Sequence, residues 1–344
     1  MNRRPLYPIL LCFALLLTSG CQSHPFSAQP SLEINWQDAT PQTIRDTHTG
    51  AHLSYQALQA RVQQAEVIYL GEEHDNPHHH RLQSAIVQQL VQQGKRPILG
   101  FEFFSRDQTA WLMQYSVGKP SRLPTRQAAD PAQLLRQRLG WENRPDWENY
   151  YPLLALARQH GLTVFGADLS EGLRVRLTRD GMEALTPLER SSWRPSAFVH
   201  ADYQQWMRER LAHSHCGMAS ESLLERLYNT WLARNDAMAE AIVTMQPQID
   251  SPVLLIVGAG HIAHNMGIYE RVAALRPELR QLNLGMSSFE TESFSATAPW
   301  PPLQVGASQF PPVHELLWLT PPSPDDSDPC AGWSTPPPAN APER

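Results

Sequence analysis

The feature that most constrains the fold is an alternation of short apolar runs with segments of helical periodicity. The apolar runs end in glycine or in a polar residue, as buried strands do. Between the first two runs, Leu82, Ile86 and Leu90 recur at the helical period, and Gly94 ends that segment. This order predicts an α/β fold with a mostly parallel sheet covered by helices. The predicted strands are 66–70, 97–101, 162–165, 252–257 and 280–286.

Two long segments, residues 105–150 and 170–245, interrupt this alternation. Both carry Trp and Leu residues at helical spacing. In open parallel sheets the ligand-binding crevice lies beyond the carboxyl ends of the strands. We therefore expect helical insertions that form a lid over the carboxyl ends of the strands.

The first twenty residues are typical of a secretory signal peptide. Arg3 and Arg4 precede a short apolar run, residues 9–17, which is too short to span a bilayer, and residues 18–20 lead into Cys21. Small residues directly before a cysteine resemble the bacterial lipobox, at which the cysteine is diacylated and becomes the new N-terminus. We expect cleavage after residue 20 and a lipid anchor on Cys21, the alternative being an ordinary signal peptide with an incidental cysteine.

A lipid on Cys21 would anchor the protein in the membrane of the bacterial cell envelope. Gln22 stands where inner-membrane lipoproteins carry Asp, which favours the outer membrane. Residues 21–50 are polar and aperiodic, as expected of a tether. From residue 299 onward the chain carries 13 of its 30 prolines, which predicts a non-helical segment in which residues 316–319 dock on the domain. The predicted domain spans 51–330, followed by a disordered tail over 331–344.

The four cysteines leave one candidate disulfide. Cys12 lies in the predicted signal peptide and Cys21 is the predicted lipid site, so Cys216 and Cys330 remain. Two thiols in an oxidising compartment form a disulfide if they lie close enough, and the alternative is two unpaired cysteines.

The charge distribution excludes one class of partner. The formal net charge is -6, and the basic residues are scattered along the chain. Proteins that bind nucleic acid normally carry a basic stripe or patch, so we expect no nucleic-acid partner.

Polar side chains follow three of the predicted strands. Gly71 and Gly258 each stand three residues before a histidine, so that His74 and His261 belong to two G-x-x-H turns at strand ends. Glu102 follows the predicted strand 97–101 and is flanked by phenylalanines. Two imidazoles and one carboxylate that converge could bind a metal, hold a haem, or act as general acid and base.

Other histidines near these turns carry a weaker signal. His78, His79 and His80 are adjacent, so they point in different directions on a helix and we expect a solvated helix start. Of these, His78 is the best candidate for a functional role. We expect His264 to lie at the start of a helix rather than to bind a ligand.

These motifs resemble those of the ChaN-like haem-binding lipoproteins, which belong with the TraB and Tiki proteins and the erythromycin esterases. The resemblance spans roughly residues 50–330, and residues 166–170 depart from it, because an Asn-Xaa-Pro-Arg-like turn is expected there. The segments that carry the resemblance are 67–80, 100–102, 215–218, 235–239, 258–261, Trp318 and 328–330.

The resemblance implies an α/β core with a helical lid and a membrane-anchored protein that takes part in haem or iron uptake. It implies a ligand crevice lined by His74, Glu102 and His261. Second candidates for the crevice are Glu73, Asn235 and Asp236. The axial ligand of the haem iron stays open between His and Tyr, and a homodimer is left open. The tyrosines that could serve are Tyr69, Tyr203, Tyr228 and Tyr269, although helical spacing favours packing for Tyr203, Trp206, Tyr228 and Trp231.

The alternative is a periplasmic metal-dependent hydrolase of the Tiki or esterase type. In that case His74 and His261 would bind a divalent metal ion, and Glu102 or Glu73 would activate water. The chain lacks the H-E-x-x-H helix of common metalloproteases. A third reading is a structural lipoprotein whose ancestral site is inactive.

Overall fold

The structure is a computed structural model that describes residues 44–118, 130–192, 200–246, 251–288, 299–323 and residue 330. The predicted signal peptide, Cys21, the greater part of the predicted tether and the predicted tail 331–344 lie outside these residues. None of the helices formed by the described residues is long and apolar enough to cross a membrane.

The main sheet is mostly parallel, as the sequence predicts. Its strand order within the described residues is β1-β9-β6-β2-β5-β3-β4, and β7 pairs with β8 in a separate hairpin. Every neighbouring pair in the main sheet is parallel except β1 and β9. The strands are β1 Ile44–Asp46, β2 Val67–Glu72, β3 Ile98–Ser105, β4 Val164–Asp168, β5 Val253–Gly258, β6 Gln281–Ser288, β7 Leu303–Val305, β8 Ser308–Phe310 and β9 Leu316–Thr320.

Helices alternate with these strands and begin and end at the expected signals. Asn76 caps α2, with Pro77 as its first helical residue, and Gly161 ends α5 in the left-handed region with φ of 60°. The helices are α1 Tyr55–Gln64, α2 Pro77–Gln92, α3 Thr109–Ser116, α4 Pro131–Arg138, α5 Trp147–His160, α6 Glu171–Asp180, α7 Pro187–Ser192, α8 Ala201–Ser214, α9 Glu221–Met245 and α10 Ile268–Leu275.

The sheet is buried on both faces, which gives a three-layer α/β/α domain. On one face, strand residues such as Leu70 and Ile256 pack with α1, α2 and α5 in one apolar cluster. On the other face, Tyr69 and Leu255 pack against the second half of α9 and against α10. This double burial explains why the strands are near-continuous apolar runs rather than alternating ones.

Helix α9 joins the sheet to the lid. Met238 and Ile242, in its second half, pack on the sheet, whereas Tyr228 and Trp231, in its first half, form a separate apolar cluster with α8. The first half of α9, together with α6 and α8, covers the carboxyl ends of the central strands. The helical lid predicted for residues 170–245 is therefore present. The lid predicted for residues 105–150 is wrong, because their apolar residues pack with α1 and α2 on the first face of the sheet and none of those that the structure describes lines the cavity.

Two boundaries differ from the expectations. Residues 44–46 were expected in the tether but form strand β1, a short edge strand whose polar sequence, Ile-Arg-Asp, has no apolar pattern to reveal it. Residues 316–319 were expected to dock on the domain, and instead β9 enters the sheet between β6 and β1. The preceding prolines lie outside the strand itself, so they do not interrupt its hydrogen bonds.

The structure contains a disulfide between Cys216 and Cys330, whose Cα atoms lie 5.5 Å apart. Cys216 follows the C-terminal end of α8, and its backbone is in the left-handed region with φ of 56°. The bond therefore ties the lid to a residue that follows the last strand of the sheet.

Candidate functional site

The ends of β2 and β5 and the middle of β3 meet at Gly258. Glu102 was expected to follow a strand, but β3 continues to Ser105, so Glu102 lies inside it. Strand β5 lies between β2 and β3, and Gly258 pairs with Glu72 of β2. A Cβ atom at position 258 would lie 2.6 Å from Cε1 of His74 and 3.3 Å from Oε2 of Glu102. Only glycine leaves room for both side chains, because a contact of 2.6 Å is a steric clash. The structure thus brings together residues that are far apart in the sequence.

His74 is held by the strand that precedes it. Its Nδ1–H donates to Oε1 of Glu72 at 3.3 Å, and its ring contacts Phe103 edge-on. Burial lowers the pKa of His74, but the hydrogen bond to Glu72 and the charge of Glu102 more than offset this, so that the pKa is raised above its usual value. The bond to Glu72 leaves Nε2 of His74 as the ring nitrogen that can meet a ligand.

Glu72 is a site residue that the sequence analysis missed. Its carboxylate is buried and accepts hydrogen bonds from Tyr150 at 2.5 Å and from Gln83, and it lies 3.3 Å from Nδ1 of His80. Glu72 ends strand β2 directly before Glu73, so its place at a strand end was the signal that could have found it. The carboxylate therefore fixes the orientation of the His74 ring.

His261 is held by a different kind of partner. It lies in a 3-10 turn, Ala259–His261, directly after β5, and is 7% exposed. Its Nδ1–H donates to Oδ1 of Asn235 on α9 at 2.7 Å, and its ring stacks parallel to Trp231. Its Nε2 lies 3.4 Å from Oε1 of Glu102. Asn235 therefore belongs to the site, as the residue that orients His261.

Glu102 is buried but fully paired. Its Oε1 accepts from Arg234 at 2.5 Å and its Oε2 from the backbone N–H of Gly258 at 2.6 Å. Burial raises the pKa of Glu102, but His261 and Arg234 outweigh it, so that the pKa lies well below its usual value. Glu102 is thus held by both His261 and Arg234.

Arg234 and Asp168 complete this ion-pair network. Arg234 bridges Glu102 and Asp168, with 2.8 Å between its guanidinium and Oδ2 of Asp168. Both residues were missed, although two signals existed. Asp168 ends strand β4, so it follows an apolar run in the same way as Glu102 does. Arg234 lies on α9 three residues after Trp231, and the two therefore share a face of the helix.

A cavity of about 550 Å³ lies above these residues, which is within the range of small-molecule sites, roughly 300–1,000 Å³. Its floor includes His74, Glu102, His261 and Gly258. Its opposite wall comes from the lid, with Trp231 among the apolar residues. No three His, Cys, Asp or Glu side chains within the described ranges are arranged to hold a metal ion.

Two second candidates lie outside the cavity. Glu73 accepts from the backbone N–H of Ser288 at 3.0 Å and so fastens the first turn to β6. Asp236 pairs with Arg271 of α10 at 2.5 Å. Asp236 follows Asn235 directly, but its side chain leaves the helix in another direction, so only Asn235 reaches the site.

The expectation of a solvated histidine cluster is wrong for two of its three members. His79 and His80 are buried at 0% and 5% exposure, because α2 packs this first turn against the sheet. His79 accepts from the backbone N–H of Glu73 at 3.0 Å, and its Nε2 lies 2.9 Å from Oγ1 of Thr320. His78 is only partly buried. His264 is also buried and bonds to the carbonyl of Pro311 at 2.7 Å, in a 3-10 turn rather than at the start of α10.

The candidate tyrosines all pack elsewhere. Tyr69 donates to Gln281, Tyr203 to the carbonyl of Ala263, and Tyr269 to Glu315. Tyr228 stacks on Trp231 inside the lid cluster. Among the described residues that line the cavity there is no tyrosine, so histidine is the available ring ligand there.

The chain matches one family model and several solved structures. The family described as haem-binding uptake, Tiki superfamily, ChaN matches residues 58–272, more than half of the chain. A structure described as cofacial heme binding to ChaN of Campylobacter jejuni is 19% identical, with a TM-score of 0.56, and the match covers 75% of this chain and 94% of that one. A mutant erythromycin esterase, EreC, in its open conformation is 14% identical, with a TM-score of 0.42 and coverage of 78% and 83%.

Comparison with curated proteins gives no match. The similarity to the Campylobacter protein supports the fold, and the family match extends from α1 into α10, across both G-x-x-H turns and the whole lid. On this evidence the chain belongs to the ChaN family of haem-binding uptake proteins in the Tiki superfamily.

Proposed function

We propose that this chain binds haem as its cargo in the cavity between the strand ends and the lid, and that it serves haem or iron uptake. The observation that carries the proposal is the pair of oriented histidines. His74 and His261 each use Nδ1 to contact a fixed acceptor, Glu72 or Asn235. Nε2 of His74 is therefore available to a ligand, and Nε2 of His261 lies at the cavity floor, 3.4 Å from Oε1 of Glu102.

The residues present fit this cargo. Imidazole nitrogen is a common axial ligand of haem iron, and both imidazoles line the cavity. A porphyrin also needs apolar and aromatic surface, which Trp231, Met207 and Leu227 supply on the lid side. Glu102 stays ionised beside Arg234 and keeps the floor polar. Bound haem supplies the iron that the uptake pathway requires.

The test is a haemin titration of the purified full chain, followed by the Soret band. Wild type should bind saturably, and the double variant His74→Ala, His261→Ala should lose most of the affinity. His78→Ala is the matched control, since His78 is a partly buried histidine of the same segment with no contact to the floor residues. Unchanged binding by the double variant would place the haem elsewhere and overturn the proposal.

A hydrolase is the second candidate, and the contact between His74 and Glu72 favours it. A histidine oriented by a carboxylate is the usual arrangement of a general base. Since Glu102 is held by Arg234 and Gly258, and Glu73 lies outside the cavity, water activation would fall to His74. Turnover of peptides or esters that is lost in His74→Ala would favour this candidate, and assays with and without an added divalent metal ion would test whether it needs a metal.

We also propose that Cys21 carries a lipid and anchors the protein in the outer membrane. The sequence of residues 1–21 supports this. Cys21→Ala should abolish palmitate labelling, and labelling that persists in this variant would disprove the anchor. Sedimentation with and without haemin tests whether the chain forms a homodimer.

A further inference from the structure

The lid side of the cavity carries two arginines that take no part in the contacts described above for the floor residues. Arg174 comes from α6 and Arg210 from α8, and both line the cavity together with the histidine floor. Neither arginine belongs to the segments that carry the sequence motifs.

Arg210 has no acidic partner in the described part of the chain. No carboxylate there lies within ion-pair distance of its guanidinium, which instead lies over the ring of Trp206 at 5.1 Å. Stacking on an indole orients a guanidinium while leaving its N–H groups free to donate in the plane. Arg208, two residues earlier on the same helix, contrasts with this, because it pairs with Glu221 at 2.5 Å.

Arg174 is only partly paired. Its NH1 lies 3.5 Å from Oδ2 of Asp168, an oxygen that Arg234 approaches to 2.8 Å. Its Nε is buried and has no hydrogen-bond partner among the described residues. A buried donor without a partner is unfavourable, so the position favours a ligand that brings an acceptor.

The charges that line the cavity do not balance. Among the described residues of its lining, three arginines, Arg174, Arg210 and Arg234, face one carboxylate, Glu102, which Arg234 already binds. The surplus positive charge lies on the lid side, opposite the imidazoles. Arginine binds carboxylate in a bidentate geometry, which makes a carboxylate the ligand group that best matches this wall.

We propose that Arg174 and Arg210 form a carboxylate-binding wall, so that the cavity selects ligands that carry a carboxylate away from the group that meets His74 and His261. This inference rests on the proposed function. For haem, the carboxylates are the two propionates, which would point to the lid while the iron faces the histidine floor.

The experiment compares haemin with its dimethyl ester, in which both propionates are uncharged, on the full chain in detergent. Wild type should bind haemin at least about tenfold more tightly than the ester, since hydrogen bonds to charged groups contribute about 1.5–3 kcal/mol. In the double variant Arg174→Gln, Arg210→Gln the two affinities should become equal through weaker haemin binding, with ester binding unchanged. Arg208→Gln is the control and should keep the preference.

The outcomes separate this inference from the proposed function. Equal affinities of wild type for haemin and ester, or a preference that survives in the double variant, would overturn the carboxylate wall while haem binding stands. Failure of wild type to bind either compound would overturn both. If the double variant does not fold, Arg210→Gln alone decides, because Arg210 is exposed and has no ion pair to lose; it should reduce the preference for haemin.

Discussion

The two G-x-x-H turns have the same spacing and end neighbouring parallel strands, yet they hold their histidines differently. The side chain of His74 is 50% exposed and bonds to a carboxylate, Glu72, from its own turn. The side chain of His261 is 8% exposed and bonds to a neutral amide, Asn235, from a distant helix. The repeated motif thus places one half-exposed imidazole, whose Nδ1 is held by a carboxylate, beside one buried imidazole, whose Nδ1 is held by a neutral amide while its Nε2 lies 3.4 Å from Glu102.

This difference indicates a division of roles. A carboxylate strengthens the basicity of the imidazole it binds, whereas an amide orients the ring without adding charge. We expect the pKa of His74 to depend on the charge of Glu72. We expect the contribution of His261 to depend on its buried hydrogen bond to Asn235.

The largest effect should come from Gly258→Ala, because Gly258 is where the two turns touch. The added methyl group would clash with Cε1 of His74 and crowd Glu102, both fixed by other contacts. We expect haemin binding to be lost and the melting temperature to fall. Soret titration and thermal unfolding measure the two effects.

Gly260→Ala is the matched control for this change. Gly260 lies in the same turn and also lines the cavity, but a Cβ atom there would meet no atom within 4 Å. The Gly260→Ala variant should bind haemin as tightly as the wild type does. Equal behaviour of the two variants would show that the contact at Gly258 does not determine the site.

The second prediction separates the histidines themselves. His74→Ala and His261→Ala should each weaken haemin binding by at least about tenfold, as loss of a ligand or its support does. Only His261→Ala should also destabilise the fold, by about 1–3 kcal/mol, because it leaves the buried oxygen of Asn235 without a donor. Urea unfolding measures this, and equal stability losses would remove the distinction.

The third prediction concerns Glu72→Gln. It removes the charge that raises the pKa of His74 and leaves the lowering effect of burial, so the pKa of His74 should fall. Titration of the histidine ring signals by NMR measures this directly. Asp75→Asn removes an exposed carboxylate from the same loop and should leave the pKa nearly unchanged; an equal shift in both variants would contradict the specific role of Glu72.

The smallest effect concerns Glu270, on the helix that follows the second turn. Burial raises the pKa of Glu270 to about 7, although the charge of Arg271 partly offsets this effect. Between the ordinary pKa of a glutamate and pH 7, the folded state therefore binds more protons than the unfolded state. Glu270 therefore lowers stability as pH rises through this window. Glu270→Gln should flatten the decline in melting temperature between about pH 5 and pH 8. An unchanged slope would contradict the shift.

The sequence predicted the layers of the fold because buried parallel strands are continuous apolar runs. It did not predict β1, since a three-residue edge strand of Ile, Arg and Asp has no pattern, and its partner comes from the far end of the chain. His79 was misjudged for a related reason. Polar residues at the start of a helix are usually exposed to solvent. The burial of His79 becomes evident only from its contact with Thr320, which lies on β9 far away in the sequence.

The site was predictable where it follows strands and unpredictable where it depends on helices that cross it. His74, Glu102 and His261 follow apolar runs, and the sheet brings them together. Arg234 and Arg210 lie inside long helices, where an arginine is most often a surface residue. Their position over the strand ends depends on how α8 and α9 pack, which periodicity alone does not give.

The position of β9 has a consequence for the order in which the molecule can form. Leu316–Thr320 pairs with β6 on one side and with β1, Ile44–Asp46, on the other, so the sheet joins one of its first segments to its last. Pairing at such long sequence separation is entropically slow, and it cannot begin until the ribosome has made residue 320. The strands β2 to β6 pair without β9, so the edge formed by β9 and β1 would be the last part of the sheet to close.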